Sequence, residues 1–163
     1  MGKRLIHFMS LFRGWHYRSP MIEKIVNGPF EKPFAKEGIV NAWLSSDRSV
    51  VEEYNKDPLC GVPFTLNGYY ALMGLVQSVY SKLGWTSKNP SLPIMFISGA
   101  EDPCRRSDKS FKKAVSHLKS CGYPNTYSKL YEDMRHELFN EKNCQEVFND
   151  ILKFLQIKVG IDV

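Results

Sequence analysis

No two of the four cysteines, at positions 60, 104, 121 and 144, form a CxxC pair or fall at a regular interval. That spacing argues against a zinc site and against a disulfide framework, and a reducing, cytoplasmic compartment fits best. No metal or other cofactor is implied. The chain also lacks internal repeats, low-complexity tracts and long polar linkers, which leaves no sign of a tandem array or a flexible tether. Charge of one sign is never concentrated. A net charge of +5 would permit contact with nucleic acid or an anionic surface, but the lysines and arginines are interleaved with acids and read as a solvated surface. Nucleic acid is therefore not expected as a partner. What is present is ordinary globular material: 163 residues, 43% hydrophobic and 24% charged, enough for one domain with a real core.

The N-terminal stretch MGKRLIHFMSLFRGWHYRSP resembles a basic leader at first sight. His7, Arg13 and His16 interrupt its apolar run, no small-residue cleavage site follows, and Ile6 spoils a myristoylation pattern. Leu5, Phe8, Met9, Phe12 and Trp15 instead recur at helical spacing, with Lys3, Arg4, Arg13 and Arg18 alongside. Two readings follow: a helix packed on its own domain, or one resting on lipid or bordering a greasy substrate opening, with peripheral membrane contact.

Short helices separated by proline and glycine fill the first half. SPMIEKIVNGP starts on a serine and a first-turn proline and is expected to stop at Asn27-Gly28-Pro29. LSSDRSVVEEYNKDP offers Ser46 or Asp47 as its cap and stops before Pro58. TLNGYYALMGLVQSVYSKLG places Tyr69, Leu72, Met73, Val76, Val79, Tyr80 and Leu83 on one stripe. The second half changes character. LPIMFIS is an unbroken apolar run, expected of a parallel strand buried on both faces, and GAEDP after it is a loop. Next come a helix with Phe111, Ala114, Val115 and Leu118 inward, the alternating TYSKLYED, the MRHEL loop, and a last helix with Val147, Ile151, Leu152 and Leu155 inward. The order strand, helix, strand, helix predicts an α/β fold with a parallel sheet, in which function gathers in the loops beyond the carboxyl ends of the strands.

Asp102 and His136 both fall in such loops. Adjacent parallel strands set their following loops side by side, so an acid after one can hold the tautomer of a histidine after the next, leaving the other ring nitrogen to accept a proton. Acid then histidine is also the order of the last two triad members in an α/β-hydrolase. A turn aspartate before proline and a surface histidine are the alternative.

The segments PIMFISGAEDP, KLYEDMRHELFNEKN and EVFNDILKFL, with WLSSDRSVVEEYNKDPLCGVPFT upstream, resemble the serine hydrolases of the lysophospholipase and monoacylglycerol-lipase-like group, also known as serine aminopeptidase S33 domains. The resemblance spans about residues 20 to 157. It implies the C-terminal half of an α/β-hydrolase, with residues 1–83 as a helical cap (lid) bounding an acyl cavity and 84–163 as the core segment. It further implies Asp102 as triad acid, His136 as general base, and lipid carboxylic esters as substrates cleaved through an acyl-serine. Two departures stand out. No stretch of the chain fits the G-x-S-x-G nucleophile elbow, and Cys104-Arg105 replaces a usual small pair after Asp-Pro, with an expected effect on the loop that positions Asp102.

Other nucleophiles are weakly supported. Cys60 precedes both Asp102 and His136, but DPLCGVPFT fits a cap motif rather than a strand-to-helix elbow. Ser98 stands at a strand end beside Gly99 with no donor array around it. HELFN is half of a zincin HExxH, with Asn140 in place of the second histidine. The sequence thus points to a partial hydrolase that needs a nucleophile from elsewhere, or to a catalytically inactive, lipid- or partner-binding derivative. An interior strand left without neighbours predicts pairing with the missing N-terminal half, with a second copy as a homodimer, or aggregation.

Overall fold

The computed structural model describes residues 2–81, 83–85 and 87–160. Four helices come first: α1 (Gly2–Arg13), α2 (Pro20–Glu31), α3 (Arg48–Lys56) and α4 (Leu66–Tyr80). Each of the last three begins on a side chain that accepts from an otherwise unpaired backbone N–H. Ser19 accepts from Ile22, Asp47 from Ser49 and Thr65 from Gly68. Of the two candidate caps before α3, Asp47 is the one used.

The expected stop of α2 at Asn27-Gly28-Pro29 does not occur. The helix runs through Pro29 to Glu31 and tightens into a 3₁₀ turn over Lys32–Glu37 that ends on Gly38 at a φ of +67°. Proline already has a helical φ, and its cost here is the bond it cannot donate to the carbonyl of Ile25, an exposed residue. Packing carries α2 across that gap: Ile22 is buried with Ile6, Leu66 and Tyr69, and Met9, Tyr17, Val26, Tyr70 and Met73 close around them.

The buried side of α1 is Ile6 and Ser10, not the aromatic stripe. Phe8 is 60% and Phe12 73% exposed, and Leu5 and Trp15 lie open as well. On α4 only Leu66 and Tyr69 are buried, whereas Leu72, Val76, Val79 and Tyr80 face outward, and Leu83 lies beyond the helix end. The two helices therefore meet through the narrower of their apolar faces and leave the wider one uncovered.

The α/β part follows: β1 (Ile94–Gly99), α5 (Asp108–Ser120), β2 (Thr126–Tyr131) and α6 (Cys144–Phe154), the last running into a π-helical turn over Leu155–Val159. The strands pair in parallel, from Ile94 opposite Thr126 to Gly99 opposite Tyr131. Tyr131, Met134, Leu138 and Val147 form the second core, with Ile97 and Ile151 against it. Leu152, expected inward, is exposed. The expectation that β1 is buried on both faces is also corrected: from Ile94 to Ser98 it is half-buried, and Gly99 alone is buried. Among the described residues the sheet has two strands, so β1 carries ladder bonds on one side only. No helix among the described residues is long and apolar enough to cross a membrane.

Candidate active site

Asp102 is fixed by its own loop. It caps the 3₁₀ turn Pro103–Arg105, and its Oδ1 accepts from the N–H of Cys104 at 2.8 Å. Arg105 ties the turn back to the end of β1: its guanidinium donates to the carbonyls of Gly99 and Ala100 and pairs with Asp108. Oδ2 of Asp102 is left to face β2, where Nδ1–H of His136 donates to it at 3.1 Å. The carboxylate side chain is 9% exposed and the imidazole 42%. A shielded acid thus holds an accessible ring, with Nε2 as the nitrogen the carboxylate does not engage.

Electrostatics reinforces the pairing. Burial pushes the Asp102 carboxyl up, but the bonds from His136 and from the backbone of Cys104 outweigh it and hold the group below 3.8. His136 is pushed from 6.5 up to about 10, first by the bond to Asp102 and then by Cys104, against a smaller opposing effect of burial. The site stabilises the imidazolium over the neutral ring.

The loop that carries His136 is clamped by the segment before α3. Arg135 donates through Nη1 to the carbonyls of Ala42 at 2.6 Å and Ser45 at 3.2 Å, pairs with Glu37, and lies over the ring of Phe34. Buried Glu141 accepts from the N–H of Arg135 at 2.6 Å and from Ser46 at 3.0 Å. The backbone of His136 and Glu137 donates to the carbonyls of Trp43 and Leu44, and the Trp43 ring sits 5.0 Å from the imidazole. None of Arg135, Glu141 and Trp43 is picked out by sequence reasoning as part of the site, whereas Cys104 is flagged there only as a neighbour of Asp102 in its loop. WLSSD and MRHEL are visible as motifs, but not that the two bond to each other.

Gly99 closes the arrangement from β1. A Cβ at this position would overlap the carbonyl oxygens of Met134 and Arg135, backbone atoms that cannot swing aside. Gly99→Ala is therefore expected to push the His136 loop away from Asp102 and to cost about 1–3 kcal/mol. A crystal structure or the His136 imidazole chemical shifts of the variant would check this, and an unchanged Nδ1-to-Oδ2 contact would count against it.

The weaker candidates sit in other settings. Burial and the Asp57 carboxylate push the Cys60 thiol above its ordinary value, the reverse of activation. Ser98 Oγ is 3.4 Å from Asp102 Oδ2 and the same from its neighbour's carbonyl. Leu138–Asn140 is a 3₁₀ turn, so His136 and Asn140 do not share an α-helical face as zincin ligands do.

A parallel strand pair that presents an acid and a histidine at adjacent carboxyl ends is the arrangement of an α/β-hydrolase. The family described as serine aminopeptidase, S33, matches residues 4–143, and the chain belongs to that family. No curated protein matches the chain. Solved structures do. A thermostable carboxyl esterase from Bacillus coagulans in complex with glycerol superposes with a TM-score of 0.81 at 20% identity, over 97% of this chain and 53% of that one. A lipase in its open form gives 0.80 at 18% identity, over 94% of this chain and 50% of that one. A soluble variant of monoglyceride lipase from Saccharomyces cerevisiae with a substrate analogue gives 0.59 at 18%, covering 95% and 61%. The chain spans about half the length of the first two, and its α/β fold is that of the C-terminal half of an α/β-hydrolase.

Proposed function

We propose that this chain supplies the acid–base half of a serine hydrolase acting on lipid-like carboxylic esters, with His136 as general base and Asp102 as the residue that orients it. The contact between His136 Nδ1 and Asp102 Oδ2 at 3.1 Å, across the ends of neighbouring parallel strands, carries the reading. In the reaction, a serine hydroxyl from a G-x-S-x-G segment absent from this sequence gives its proton to Nε2 as its oxygen attacks the ester carbonyl. The imidazolium then returns the proton to the leaving alkoxide, and an acyl-serine remains. Water deacylates it by the same route. Residues 1–83 act as the cap and 84–163 as the core segment. The uncovered apolar sides of α1 and α4 suit an acyl chain or the completing polypeptide.

The completing polypeptide docks on the open edge of β1, whose unpaired backbone groups and half-buried apolar side chains favour another strand. Two measurements test this reading. By light scattering, the chain alone is expected as a dimer or larger species, and a dispersed monomer with a cooperative melt would remove the case for an open edge. Co-expressed with a half-hydrolase carrying G-x-S-x-G, it is expected to co-purify and to cleave aryl and acylglycerol esters, with loss of turnover in His136→Ala. Co-purification without turnover would leave the second reading, a binding module derived from a hydrolase, in its place.

A further inference from the structure

Cys104 is the one member of the site for which hydrolysis has no use. Its sulfur, a carboxylate oxygen of Asp102 and a ring nitrogen of His136 all lie within 4.8 Å of one another. We propose that these three side chains form a zinc site. Zinc takes nitrogen at about 2.0–2.1 Å, sulfur at about 2.3 Å and carboxylate oxygen at about 2.0–2.2 Å, so tetrahedral donors stand roughly 3.3–3.7 Å apart. The Asp102 and His136 donors are already 3.1 Å apart, and the Cys104 sulfur, within 4.8 Å of a donor atom on each, needs to close by about 1 Å at most to complete the triangle.

The donor set selects the ion. A thiolate with an imidazole is too soft for magnesium or calcium, and the mixed sulfur, nitrogen and oxygen set suits zinc. Two loops build the site, one after β1 and one after β2, which is why no local cysteine spacing announces it. Three protein donors leave the fourth position to water, and the His136 side chain is 42% exposed. Binding replaces the Nδ1 proton of His136 and the thiol proton of Cys104, both passing to solvent, while Asp102 binds as the carboxylate. The metal then occupies the contact between acid and base, so the zinc form and the hydrogen-bonded dyad exclude each other. The site stands on this geometry whether or not the dyad catalyses.

Cobalt(II) and zinc titration of the full 163-residue chain tests it. One equivalent of cobalt is expected to give the intense visible bands of a tetrahedral ion and a sulfur-to-cobalt charge-transfer band in the near ultraviolet, both bleached by zinc. Cys104→Ser should remove the charge-transfer band and weaken zinc binding by more than about tenfold, the scale that even an outer contact can reach. His136→Gln should weaken it similarly. Near-UV circular dichroism of each variant shows whether the fold is kept, and 2D NMR of the wild-type chain with zinc should shift Cys104 and His136 even if a variant fails to fold. Cys121, whose sulfur is 3.6 Å from His117 Nε2, is the internal control. A charge-transfer band that survives Cys104→Ser but is lost in Cys121→Ser would overturn the proposal, as would the absence of any tetrahedral cobalt spectrum.

Discussion

Purified alone, the chain is expected to hydrolyse short-chain aryl esters no faster than buffer and to take no label from a fluorophosphonate probe. In the proposed roles His136 and Asp102 accept and steady a proton, but without a G-x-S-x-G serine and the donors that accompany it the covalent route through an acyl-enzyme is not expected. Members of a triad act as a unit. Removing one costs about 10⁴-fold or more, and what remains comes from the oxyanion hole and substrate binding. A chain without the G-x-S-x-G elbow loses the nucleophile and, with it, that residual source. Steady-state rates and probe labelling check this together. Turnover that survives Cys60→Ala with Ser98→Ala yet disappears in His136→Ala would mean that another side chain attacks.

Arg135→Ala is expected to lower stability by about 3 kcal/mol. The guanidinium side chain is 10% exposed, and its removal leaves the carbonyls of Ala42 and Ser45 without a charged donor, at about 1–3 kcal/mol for each buried group left unpaired. Its ion pairs add less. Glu37 and Glu101 are both well solvated, so water takes over much of what they lose. For a domain of this size the change corresponds to roughly 6–12 °C in Tm, readable by thermal or urea denaturation. Arg135→Lys should fall between, since an ammonium cannot reach both carbonyls and Glu37 in one planar fork. A loss under about 1 kcal/mol for the alanine variant would show that the clamp is not held from this residue.

The pairing of Asp102 with His136 was legible because it follows from parallel order: strands that neighbour one another bring their following loops together. The start of α2 on Ser19, and of α3 on one of the pair Ser46 and Asp47, was legible for a similar reason, since caps act within a few residues. What holds the histidine loop was not. Arg135 and Glu141 bond to groups in 37–46, and no periodicity of 2 or 3.6 reports a contact at that distance along the chain. Periodicity also misled on burial. In α1 it found an apolar stripe at Phe8 and Phe12, but the side that packs is Ile6 and Ser10, because a hydrophobic face shows that something must cover it without showing that this chain does. The half-buried β1 teaches the same lesson: an apolar run marks a strand made for an interior, whatever number of neighbours surrounds it.

The clamp on the histidine loop also orders events in time. β1 and β2 are joined by a single helix, and their pairing closes a short loop. The contact from Arg135 to Glu37 joins residues 98 apart. Closing that longer loop costs more chain entropy and is repaid only when both ends are already shaped. The strand pair with α5 and α6 is thus expected to form first, with the imidazole reaching its final position as the stretch before α3 closes over it. A histidine set in this way is expected to come into register late, on a frame that has already formed without it.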